Sequence, residues 1–411
     1  MKLTIVFIVA LKSLRVNALR SILTMLGVII GVAAVISLVS IGTGAQDKIV
    51  GQIEALGSNL LIIVGASSKN SGARSGAGSK LSLSIGDVKA IGKEKNLITV
   101  SAPTVHTKGQ VILNNFNWST DITGANTDFF IARDWKIDEG RTFTESENKS
   151  SRKIALLGKT VVNNISPDSS PIGKTIRINR IPIKVIGTLE PKGQSADGKD
   201  QDDIIVIPIQ TVQKRIIGSN NRSRPNMVHV IWVKVINSSK LSEAEAQIND
   251  ILRKRHKIRP GQDDDFKIHN LEEIRNTVSN SIGVFTLLLG AVASIALIVG
   301  GIGIMNIMLV SVTERTKEIG LRMALGAKRK DIMLQFIVES VTLSLIGGLF
   351  GIILGIIISF IISRLAEWPT TIEIDSILIA FFFSAAIGVF FGLYPARKAS
   401  LLDPIEALRF E

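Results

Sequence analysis

The chain has 411 residues, of which 46% are hydrophobic, a net charge of +13 and no cysteine. The lack of cysteine excludes disulfide bonds, thiolate zinc sites and cysteine nucleophiles. The apolar residues cluster in four stretches without Asp, Glu, Lys or Arg, and each is as long as the ~20 residues that a helix needs to cross a bilayer. These stretches are Ser21–Gln46, Asn276–Thr313, Ser340–Ser363 and Ser376–Ala396. The composition therefore excludes a purely cytosolic enzyme or a nuclear factor, and predicts a polytopic membrane protein.

The positive charge has two parts. Residues 47–281 carry 34 basic and 25 acidic side chains, spread along a polar region without an arginine–aromatic stripe, so we expect no nucleic-acid partner. The short segments 1–20, 312–333 and 395–411 carry 13 basic and 6 acidic side chains. Basic residues in short segments beside membrane spans mark the cytoplasmic side.

These charges predict the order of segments along the chain. In residues 1–20 most of the charge follows the apolar stretch, which favours an uncleaved amphipathic helix over a signal peptide. Both termini are then cytoplasmic. The predicted segments are an interfacial helix at 1–20, spans at 21–46, 280–312, 334–363 and 376–396, an extracytoplasmic domain at 47–279, an outer loop with Trp368 at 364–375, and cytoplasmic segments at 313–333 and 397–411.

The extracytoplasmic segment is predicted to be an α+β domain. Its two ends carry strand–helix–strand patterns, predicted as Leu60–Val64, Ile85–Lys93 (capped by Ser84/Asp87), Leu97–Val105, Val228–Val235, Glu243–His256 (capped by Ser242) and Phe266–His269. We expect these ends to form one α/β lobe, and residues 106–227 to form a β-rich lobe. Ser67–Ser79 is predicted to be a flexible loop. Apolar stripes at Ile49, Ile53, Leu56 and at Leu271, Ile274, Val278, Ile282 predict a two-helix stalk.

Three kinds of motif in the sequence could indicate ligand binding or catalysis: Gly-Lys-Thr tripeptides, acidic runs and histidines. The tripeptides Gly158–Thr160 and Gly173–Thr175 lack the first glycine of a phosphate-binding loop, so we interpret them as turns at strand edges. The acidic runs at residues 200–203 and 263–265 do not have calcium-loop spacing and are typical of solvated loops. The four histidines show no metal-ligand spacing, and no catalytic set is evident. We expect no metal site, no cofactor on this chain and no enzymatic activity.

The predicted spans contain small residues four apart, which allow helix backbones to approach closely in lipid. They are Gly27 and Gly31 in the first span, Gly347, Gly351 and Gly355 in the third, and Gly388 and Gly392 in the fourth. Glu339 lies in the third span, where an ionisable group is costly. We expect it either to snorkel to the inner interface or to anchor the preceding loop helix, and not to transport an ion, because no second intramembrane charge is present to relay one.

The loop between the second and third spans is predicted to hold a short helix, Glu314–Leu325, which Gly326 ends. Glu318 and Arg322 form a favourable pair four residues apart. Ile319, Leu321, Met323 and Leu325 predict an apolar surface that docks into a protein groove. After Pro395, which is expected to end the last span, Asp403, Pro404 and Glu406 predict a short helix through Arg409.

Four segments together resemble the MacB/FtsX-type permeases of ABC transporters, and they are closer to MacB than to the FtsX or lipoprotein-releasing members. They read LKSLRVNALRSILTMLGVIIGVAAVI, IGTGAQDKIVGQIEALGSNLL, VTERTKEIGLRMALGAKRKDIMLQFIVES and FGLYPARKASLLDPIEALRFE. The resemblance implies a dimeric four-span permease whose outer domain has a Porter-like α/β lobe and a Sabre-like β-rich lobe. It also implies mechanotransmission, in which ATP-driven dimerisation of cytoplasmic ATPases reshapes the outer domain.

The resemblance also implies a coupling helix that contacts the ATPase. Its residues here are Glu314, Arg315, Thr316, Lys317, Glu318, Ile319, Gly320, Leu321, Arg322, Met323, Ala324, Leu325 and Gly326. MacB carries its ATPase at the N-terminus of the same chain, whereas this sequence begins with the interfacial helix. We therefore expect a separate cytoplasmic ABC ATPase subunit that holds ATP and Mg²⁺.

The implied function is export of a drug, peptide or similar compound across the bacterial inner membrane, with a homodimeric permease and an extracytoplasmic adaptor of the membrane-fusion type. Two alternatives stay open. One is an FtsX-like scaffold that activates an extracytoplasmic hydrolase. The other is a lipoprotein-releasing permease.

Overall fold

The computed structural model describes residues 18–57, 59–66, 69–70, 73–74, 82–195, 198–217, 226–366 and 369–409. The chain divides into a sheet unit, Ile49–Val278, and a helical unit formed by the flanking segments Met1–Lys48 and Ser279–Glu411. The predicted interfacial helix at 1–20 and the loop Ser67–Ser79 lie largely outside the described residues. Trp368 lies wholly outside them.

The elements follow the chain in this order. The α-helices are α1 Ala18–Glu54, α2 Ile85–Ile91, α3 Asp128–Ala132, α4 Glu145–Lys149, α5 Lys159–Ile165, α6 Ile209–Thr211, α7 Leu241–Arg255, α8 Leu271–Glu314, α9 Thr316–Ala324, α10 Arg329–Ala366, α11 Ile374–Ser400 and α12 Pro404–Arg409. The strands are β1 Leu60–Gly65, β2 Lys69–Asn70, β3 Ala73–Arg74, β4 Leu83–Ser84, β5 Ile98–Leu113, β6 Phe116–Ala125, β7 Ile137–Gly140, β8 Ile154–Leu157, β9 Thr175–Ile178, β10 Ile181–Leu189, β11 Ile204–Pro208, β12 Met227–Val228, β13 Val230–Val235 and β14 Phe266–Asn270.

The sheet unit is built on one ten-stranded sheet. Its strand order is β14-β1-β13-β5-β6-β11-β8-β10-β7, and β9 pairs with both β10 and β5. The strands β14, β1 and β13, from the two ends of the segment, are neighbours, so the predicted lobe built from both ends is confirmed. The predicted second strand is wrong in length, because β5 continues beyond Val105 to Leu113 and pairs there with β6 and β9. The two lobes therefore share a continuous sheet.

Both faces of this sheet are covered. In β1, Leu61 and Ile63 belong to one apolar core together with Leu252 of α7, whereas Leu60 belongs to a second core with Trp232. Successive side chains of a strand point to opposite faces, so an uninterrupted apolar run suits a strand that is buried on both sides. Burying each such side chain contributes roughly 1.5–3 kcal/mol. The apolar run in β1 is therefore explained by burial on both faces.

Two element boundaries differ from the sequence expectations. The predicted strand Val228–Val235 is interrupted at His229, between β12 and β13. The helix predicted to start after Ser242 instead begins at Leu241, directly after a 3₁₀ turn at Ser238–Lys240. Leu241 is buried in the core, and this packing places it in the first helical turn. The Ser84/Asp87 cap is confirmed, because the backbone N–H of Ser84 donates to Asp87 Oδ2 at 2.8 Å.

The two Gly-Lys-Thr tripeptides lie in different local structures. Gly158 is the N-cap of α5, which follows β8, so its interpretation as a strand-edge turn is wrong. Gly173 has a φ of +82° and precedes β9, as a turn requires. A glycine also fits position 158, because a Cβ there would lie 2.2 Å from the carbonyl oxygen of Asp202.

The acidic runs lie in loops, as interpreted, and Asp263 is exposed, but the interpretation that all their carboxylates are simply solvated is wrong. Asp202 is buried and accepts hydrogen bonds from the backbone N–H groups of Lys192 (2.7 Å) and Gly193 (2.9 Å). Asp203 accepts from Trp118 Nε1 at 2.8 Å. Two members of the second run are paired as well, Asp264 with Arg253 and Asp265 with His256. Local charge density did not show that Asp202, Asp203, Asp264 and Asp265 have partners elsewhere in the chain.

The predicted stalk stripes belong to the ends of two long helices. Ile53 of α1 and Leu271 of α8 pack into one apolar core of the sheet unit. The same two helices are joined by an ion pair, in which Arg275 Nη2 lies 3.7 Å from Glu54 Oε1. Leu56 lies beyond the end of α1, so the last position of the first stripe is not helical. The two helices are therefore neighbours within the sheet unit.

Four described helices are long and apolar enough to cross a membrane: α1, α8, α10 and α11. Pro395 does not end α11, contrary to expectation, because the helix continues to Ser400. A proline removes one backbone N–H donor, which a helix between packed neighbours tolerates. Ala396, Ala399 and Ser400 are buried, so packing holds the helix beyond the proline.

The predicted packing glycines meet other helices at close range. Gly27 lies against Gly300, and Gly31 against Leu297, which joins α1 to α8. The row Gly347, Gly351 and Gly355 lies against Val28, Val32 and Ile36 of α1. Gly388 and Gly392 lie against Ser344 and Ser340, which joins α11 to α10. Small residues stabilise helix association in lipid because they let neighbouring backbones make dispersion contacts.

We expect Gly351→Val to destabilise the helical unit by roughly 1–3 kcal/mol through overpacking. An ideal Cβ at position 351 lies 2.8 Å from Val32 Cβ and 2.9 Å from the carbonyl oxygen of Ile29, whereas position 290 has no heavy atom within 4 Å. Gly290→Val is the matched control. Heating the detergent-solubilised chain and measuring its monodisperse fraction by size exclusion compares them. Equal loss for both variants would contradict the packing role.

A buried ion cluster joins α2 to α7 and the segment before β14. Asp87 Oδ1 accepts from Arg255 Nε at 2.6 Å, and Asp87 Oδ2 lies 3.4 Å from His256 Nε2. His256 Nδ1 lies 2.7 Å from Asp265 Oδ1. Burial opposes ionisation of Asp87, but contacts with His256, Arg255 and Ser84 together lower its pKa. The contact with Asp87 raises the pKa of His256 to about 9, against the effect of burial, and Asp265 adds to the increase.

This cluster predicts a pH-dependent stability. The folded-state pKa of His256 exceeds its ordinary value of 6.5, so its contribution is complete below pH 6.5 and disappears as the pH rises through about 9. His256→Gln should lower the free energy of unfolding by on the order of 2 kcal/mol at mildly acidic pH, and by much less in alkaline solution. Tryptophan fluorescence during thermal unfolding of the full chain measures this difference. The control is His269→Gln on the exposed part of β14, and a pH-independent deficit would refute the cluster's role.

Candidate coupling site

The short helix of the loop between α8 and α10 is separated from α8 by one residue. Arg315 has φ −101° and ψ 14°, outside helical values, and α9 follows it as Thr316–Ala324. The predicted helix therefore exists, but its predicted start is wrong, because Glu314 is the last residue of α8. Gly326 has a φ of +99°, a conformation that favours glycine, and its N–H donates to the carbonyl oxygen of Met323 at 3.0 Å.

A chain of polar contacts holds α9 against α10. Arg315 Nη1 lies 3.3 Å from Glu339 Oε2, and Arg315 Nε lies 3.3 Å from Glu318 Oε2. Arg322 Nη2 donates to Glu318 Oε1 at 2.6 Å, as the spacing predicted, and Arg322 Nη1 donates to Gln335 Oε1 at 3.4 Å. Glu339 is 5% exposed, and a carboxylate so buried is stable only with a partner. The structure thus brings Glu339 to the loop helix through Arg315.

The apolar residues of α9 divide into two groups. Ile319 is fully buried, so its predicted place on a docking surface is wrong. Gly320 is buried against Ala407 of α12, and a Cβ there would lie 2.7 Å from the Cβ of Ala407. Leu321 and Leu325, by contrast, are 53% and 81% exposed. Ile319 belongs to the apolar core of the helical unit with Ile332 and Phe336 of α10, and Gly320 packs on α12, so Leu321 and Leu325 are the aliphatic side chains that stay accessible.

The tail helix α12 forms as predicted. The side chain of Asp403 caps it, because Oδ1 accepts from the backbone N–H of Ile405 at 2.8 Å. Ile405 and Leu408 are exposed. With Leu321 and Leu325 they make up the exposed aliphatic residues of the two packed helices, and we call these four residues the coupling surface.

The remaining predicted residues of the loop take other positions. Glu314, Lys317 and Ala324 are exposed, Met323 is half-buried, and Thr316 is buried with its hydroxyl donating to the carbonyl oxygen of Thr313 at 2.8 Å. Sequence reasoning missed Gln335, which is buried one turn before Glu339. The sequence did contain a signal for it, because Gln335 is a polar residue four positions before Glu339 in an apolar helix. It also missed that Gly320 is a packing residue, although a glycine within a helix often indicates close approach.

Arg133 is a second polar centre that sequence reasoning missed, and it lies in the sheet unit. Its Nε donates to the carbonyl oxygen of Leu56 at 3.2 Å, and its Nη2 donates to Gln201 Oε1 at 2.6 Å. The guanidinium lies 5.0 Å and 4.8 Å from the ring centroids of Trp135 and Trp232. Burial lowers the pKa of Arg133 to about 10, so it is charged at neutral pH. It lines a cavity of about 660 Å³. No local pattern distinguishes this arginine.

Few of the described residues are candidates for a catalytic or metal site. Among the described residues, no group of three or more His, Cys, Asp or Glu side chains is placed to hold a metal ion. What the site offers is a short helix fixed by ion pairs to a long membrane helix, with exposed aliphatic side chains.

The fold is that of a membrane protein with four candidate membrane helices and a large α+β domain. Residues 21–251 match the MacB-like periplasmic core domain, and residues 290–404 match the FtsX-like permease C-terminal domain. The chain belongs to the MacB/FtsX-type family of ABC transporter permeases.

Relatives of the chain include two proteins named macrolide export ATP-binding/permease protein MacB. The one from Chlorobium luteolum is 44% identical over 98% of this chain and 59% of its own length. The one from Bdellovibrio bacteriovorus is 41% identical over 97% of this chain and 61% of its own length. This chain thus spans about three-fifths of these relatives. The crystal structure of the periplasmic region of MacB from Actinobacillus actinomycetemcomitans is 24% identical, with a TM-score of 0.44 over 56% of this chain and 96% of that structure.

The ion pair at the start of α9 can be tested with a double-mutant cycle. Arg315→Leu should remove the positive partner of the buried Glu339 and cost roughly 3 kcal/mol of stability, whereas Glu339→Leu should cost less, because Arg315 keeps its contact with Glu318. Because the double variant leaves no buried charge, it should recover much of the loss. Thermal stability of the purified chain in detergent measures the cycle. Purely additive losses would contradict a direct pairing of the two side chains.

Proposed function

We propose that the chain is the permease part of an ABC transporter in the bacterial inner membrane, and that it drives export of a drug, peptide or similar compound. Membership of the MacB/FtsX-type family supports the permease role. The names of the relatives, which include macrolide export and ATP-binding, support export driven by ATP. We further propose that ATP and Mg²⁺ are held by a cytoplasmic ABC ATPase, as a separate subunit, and not by the residues of this chain.

The observation that carries the proposal is the attachment of the coupling surface to the membrane helices. Leu321 and Leu325 are exposed on a helix whose first residue follows Arg315, and Arg315 is paired with the buried Glu339 of α10. An ATPase that docks on these leucines would transmit its closure through the ion pair to α10 and across the helix break to α8. Motion of α8 and α1 would then reshape the extracytoplasmic domain, because both helices extend into the sheet unit.

The topology in this proposal follows from charge. The segments 313–333 and 397–411 are cytoplasmic, because their basic residues lie beside membrane helices, and the segment 47–279 is extracytoplasmic. A homodimer provides two coupling surfaces for the two ATPase subunits. An adaptor of the membrane-fusion type would bind the extracytoplasmic domain and extend the path for the exported compound.

Charged substitutions on the coupling surface test the proposal. We expect Leu321→Glu and Leu325→Glu to reduce copurification of the ATPase, and ATP-dependent export, by about tenfold or more, because they place a charge in a desolvated contact. Ile236→Glu is the matched control, since Ile236 is 53% exposed, like Leu321, but lies in the sheet unit. The proposal fails if all three variants retain the ATPase equally well.

Proteins captured by the extracytoplasmic domain decide between export and the two alternatives. Capture of an adaptor together with loss of export in the two leucine variants supports the proposed function. Capture of a cell-wall hydrolase, without any exported compound, would replace it with an FtsX-like scaffold. Crosslinks to lipoproteins would replace it with lipoprotein release.

A further inference from the structure

The two stalk helices join the strands of the sheet unit in different ways. Helix α8 follows β14 without an intervening residue, because β14 ends at Asn270 and α8 begins at Leu271. The side chain of Asn270 caps this junction, since its Oδ1 accepts from the backbone N–H of Glu272 at 3.1 Å. Helix α1, by contrast, ends at Glu54 and is separated from β1 by residues 55–59. Motion of α8 therefore reaches the sheet along a continuous backbone, whereas motion of α1 must pass through a link.

The backbone of this link does not hold the end of α1 by itself. Gly57 has a φ of +128° and Asn59 a φ of +52°. Position 57 needs glycine, because a Cβ there would lie 2.8 Å from the carbonyl oxygen of Ala132. Glycine permits many backbone conformations, so a link that contains it can absorb a displacement of the helix. Transmission through this link requires contacts from other parts of the unit.

Two basic residues from the middle of the sheet unit supply such contacts. Arg133 Nε donates to the carbonyl oxygen of Leu56 at 3.2 Å, and Lys192 Nζ donates to the carbonyl oxygen of Ala55. Lys192 Nζ also donates to the carbonyl oxygen of Arg133 at 2.5 Å. Carbonyl groups at the C-terminal end of a helix carry partial negative charge, which favours cations there. We call Arg133 and Lys192 the α1 clamp.

The α1 clamp is itself fixed to the surrounding fold. Arg133 is only 7% exposed. The backbone N–H of Lys192 donates to Asp202 Oδ1 at 2.7 Å, and Lys192 Nζ lies 5.5 Å from the ring centroid of Trp135. Trp135 Nε1 donates in turn to the carbonyl oxygen of Glu190 at 2.8 Å. A displacement of the clamp therefore displaces the segments that carry both basic residues.

The charges of the clamp are costly, which favours a role that needs strong hydrogen bonds. Burial lowers the pKa of Lys192 to about 8, and the positive charge of Arg133 adds to that decrease, while Asp134 and Asp202 oppose it. A neutral side chain could satisfy the two carbonyl groups without bringing two like charges together. Hydrogen bonds from charged donors are stronger than those from neutral ones. Two cations therefore hold the end of α1 more firmly than two amides would.

We propose that Arg133 and Lys192 are positioning residues that make the end of α1 move as one body with the sheet. By holding the carbonyl groups of Ala55 and Leu56, they pass a displacement of α1 to the sheet before residues 55–59 absorb it. The source of that displacement, closure of the ATPase, rests on the proposed function. The clamp itself is a property of the sheet unit and does not involve the coupling surface.

Distances between spin labels in the full chain test the clamp. Because the chain has no cysteine, introduced cysteines carry labels only at chosen positions. Gly51→Cys on α1, where a Cβ meets no heavy atom within 4 Å, is paired with Asn163→Cys at an exposed position of α5. Glu273→Cys, exposed on α8, is paired with the same Asn163→Cys and reports on the other joint. Pulsed electron paramagnetic resonance in nanodiscs, with labelled chain diluted in unlabelled chain, measures both distances.

We expect Lys192→Met to broaden the distance distribution between positions 51 and 163 by about twofold, because it removes the amine and keeps the apolar part of the side chain. The distribution between positions 273 and 163 should not change. Lys192→Arg keeps a charged donor and should restore the narrow distribution. Lys234→Met is the matched control, since the Lys234 side chain is 17% exposed but contacts Asp134 and the carbonyl oxygen of Ile131 instead of α1.

Addition of the copurified ATPase with ATP tests transmission. The distance between positions 51 and 163 should stay constant in the wild type, because α1 and the sheet move together, and should shift in Lys192→Met. A shift of equal size in both would overturn the proposal. If Lys192→Met is not monodisperse, Lys192→Gln, whose amide is too short to replace the amine, takes its place.

The labels alone can also overturn the proposal. It fails if the width between positions 51 and 163 is the same in Lys192→Met and the wild type, or if Lys192→Arg does not restore it. It fails as well if the pair at 273 and 163 broadens equally, which would indicate a general loss of structure. A wild-type chain that captures no ATPase would contradict the proposed function, whereas the comparison of widths would still decide whether the clamp holds α1.

Discussion

Close approach of helix backbones at glycine is the contact on which the helical unit depends. In hydrocarbon the apolar side chains of α1, α8, α10 and α11 gain little by touching each other, because lipid tails offer an equally apolar surrounding. What stabilises the helices together is dispersion between closely packed backbones, at Gly27 against Gly300 and at the glycine row of α10 against α1. Ser344 and Ser384 add reciprocal hydrogen bonds to each other's carbonyl oxygens between α10 and α11.

The ion pair of Arg315 and Glu339 depends on this packing. Glu339 directly precedes Ser340, which packs against Gly392 of α11, and its side chain is buried, so a positive partner is necessary. Arg315 supplies that partner at the one non-helical residue between α8 and α9. Packing in the membrane part therefore determines where the short helix is held, and the tail helix α12 packs on it at Gly320 while Leu321 and Leu325 remain exposed. The coupling surface is a consequence of both.

The sheet unit follows a different rule, because its polar side chains are mostly satisfied by distant partners. Asp202 accepts from backbone N–H groups nine and ten residues away, Asp87 pairs with residues more than 160 positions away, and Arg133 donates to the carbonyl oxygen of Leu56, just beyond the end of α1. Against this background the unpaired oxygens of Asn126 and Asn148 are exceptions.

Interactions between residues that are close in sequence could be predicted from the sequence. The number of long apolar helices follows from the length of each run, the caps at Ser84 and Asp403 follow from side chains that reach their own backbone, and the Glu318–Arg322 pair follows from helical spacing. The glycine faces were also evident, although not their partners.

Only the tertiary structure decided the contacts between distant segments. It extended β5 by pairing it with β6 and β9, started α7 at the buried Leu241, and gave partners to the acidic runs. It also buried Ile319 while leaving Leu325 exposed, although both are aliphatic residues of the same loop. The physical reason is that the burial and pairing of a side chain depend on which distant segment of the chain packs against it in the folded protein. A pattern within one segment shows that a side chain needs a partner, but it does not show which partner it will meet.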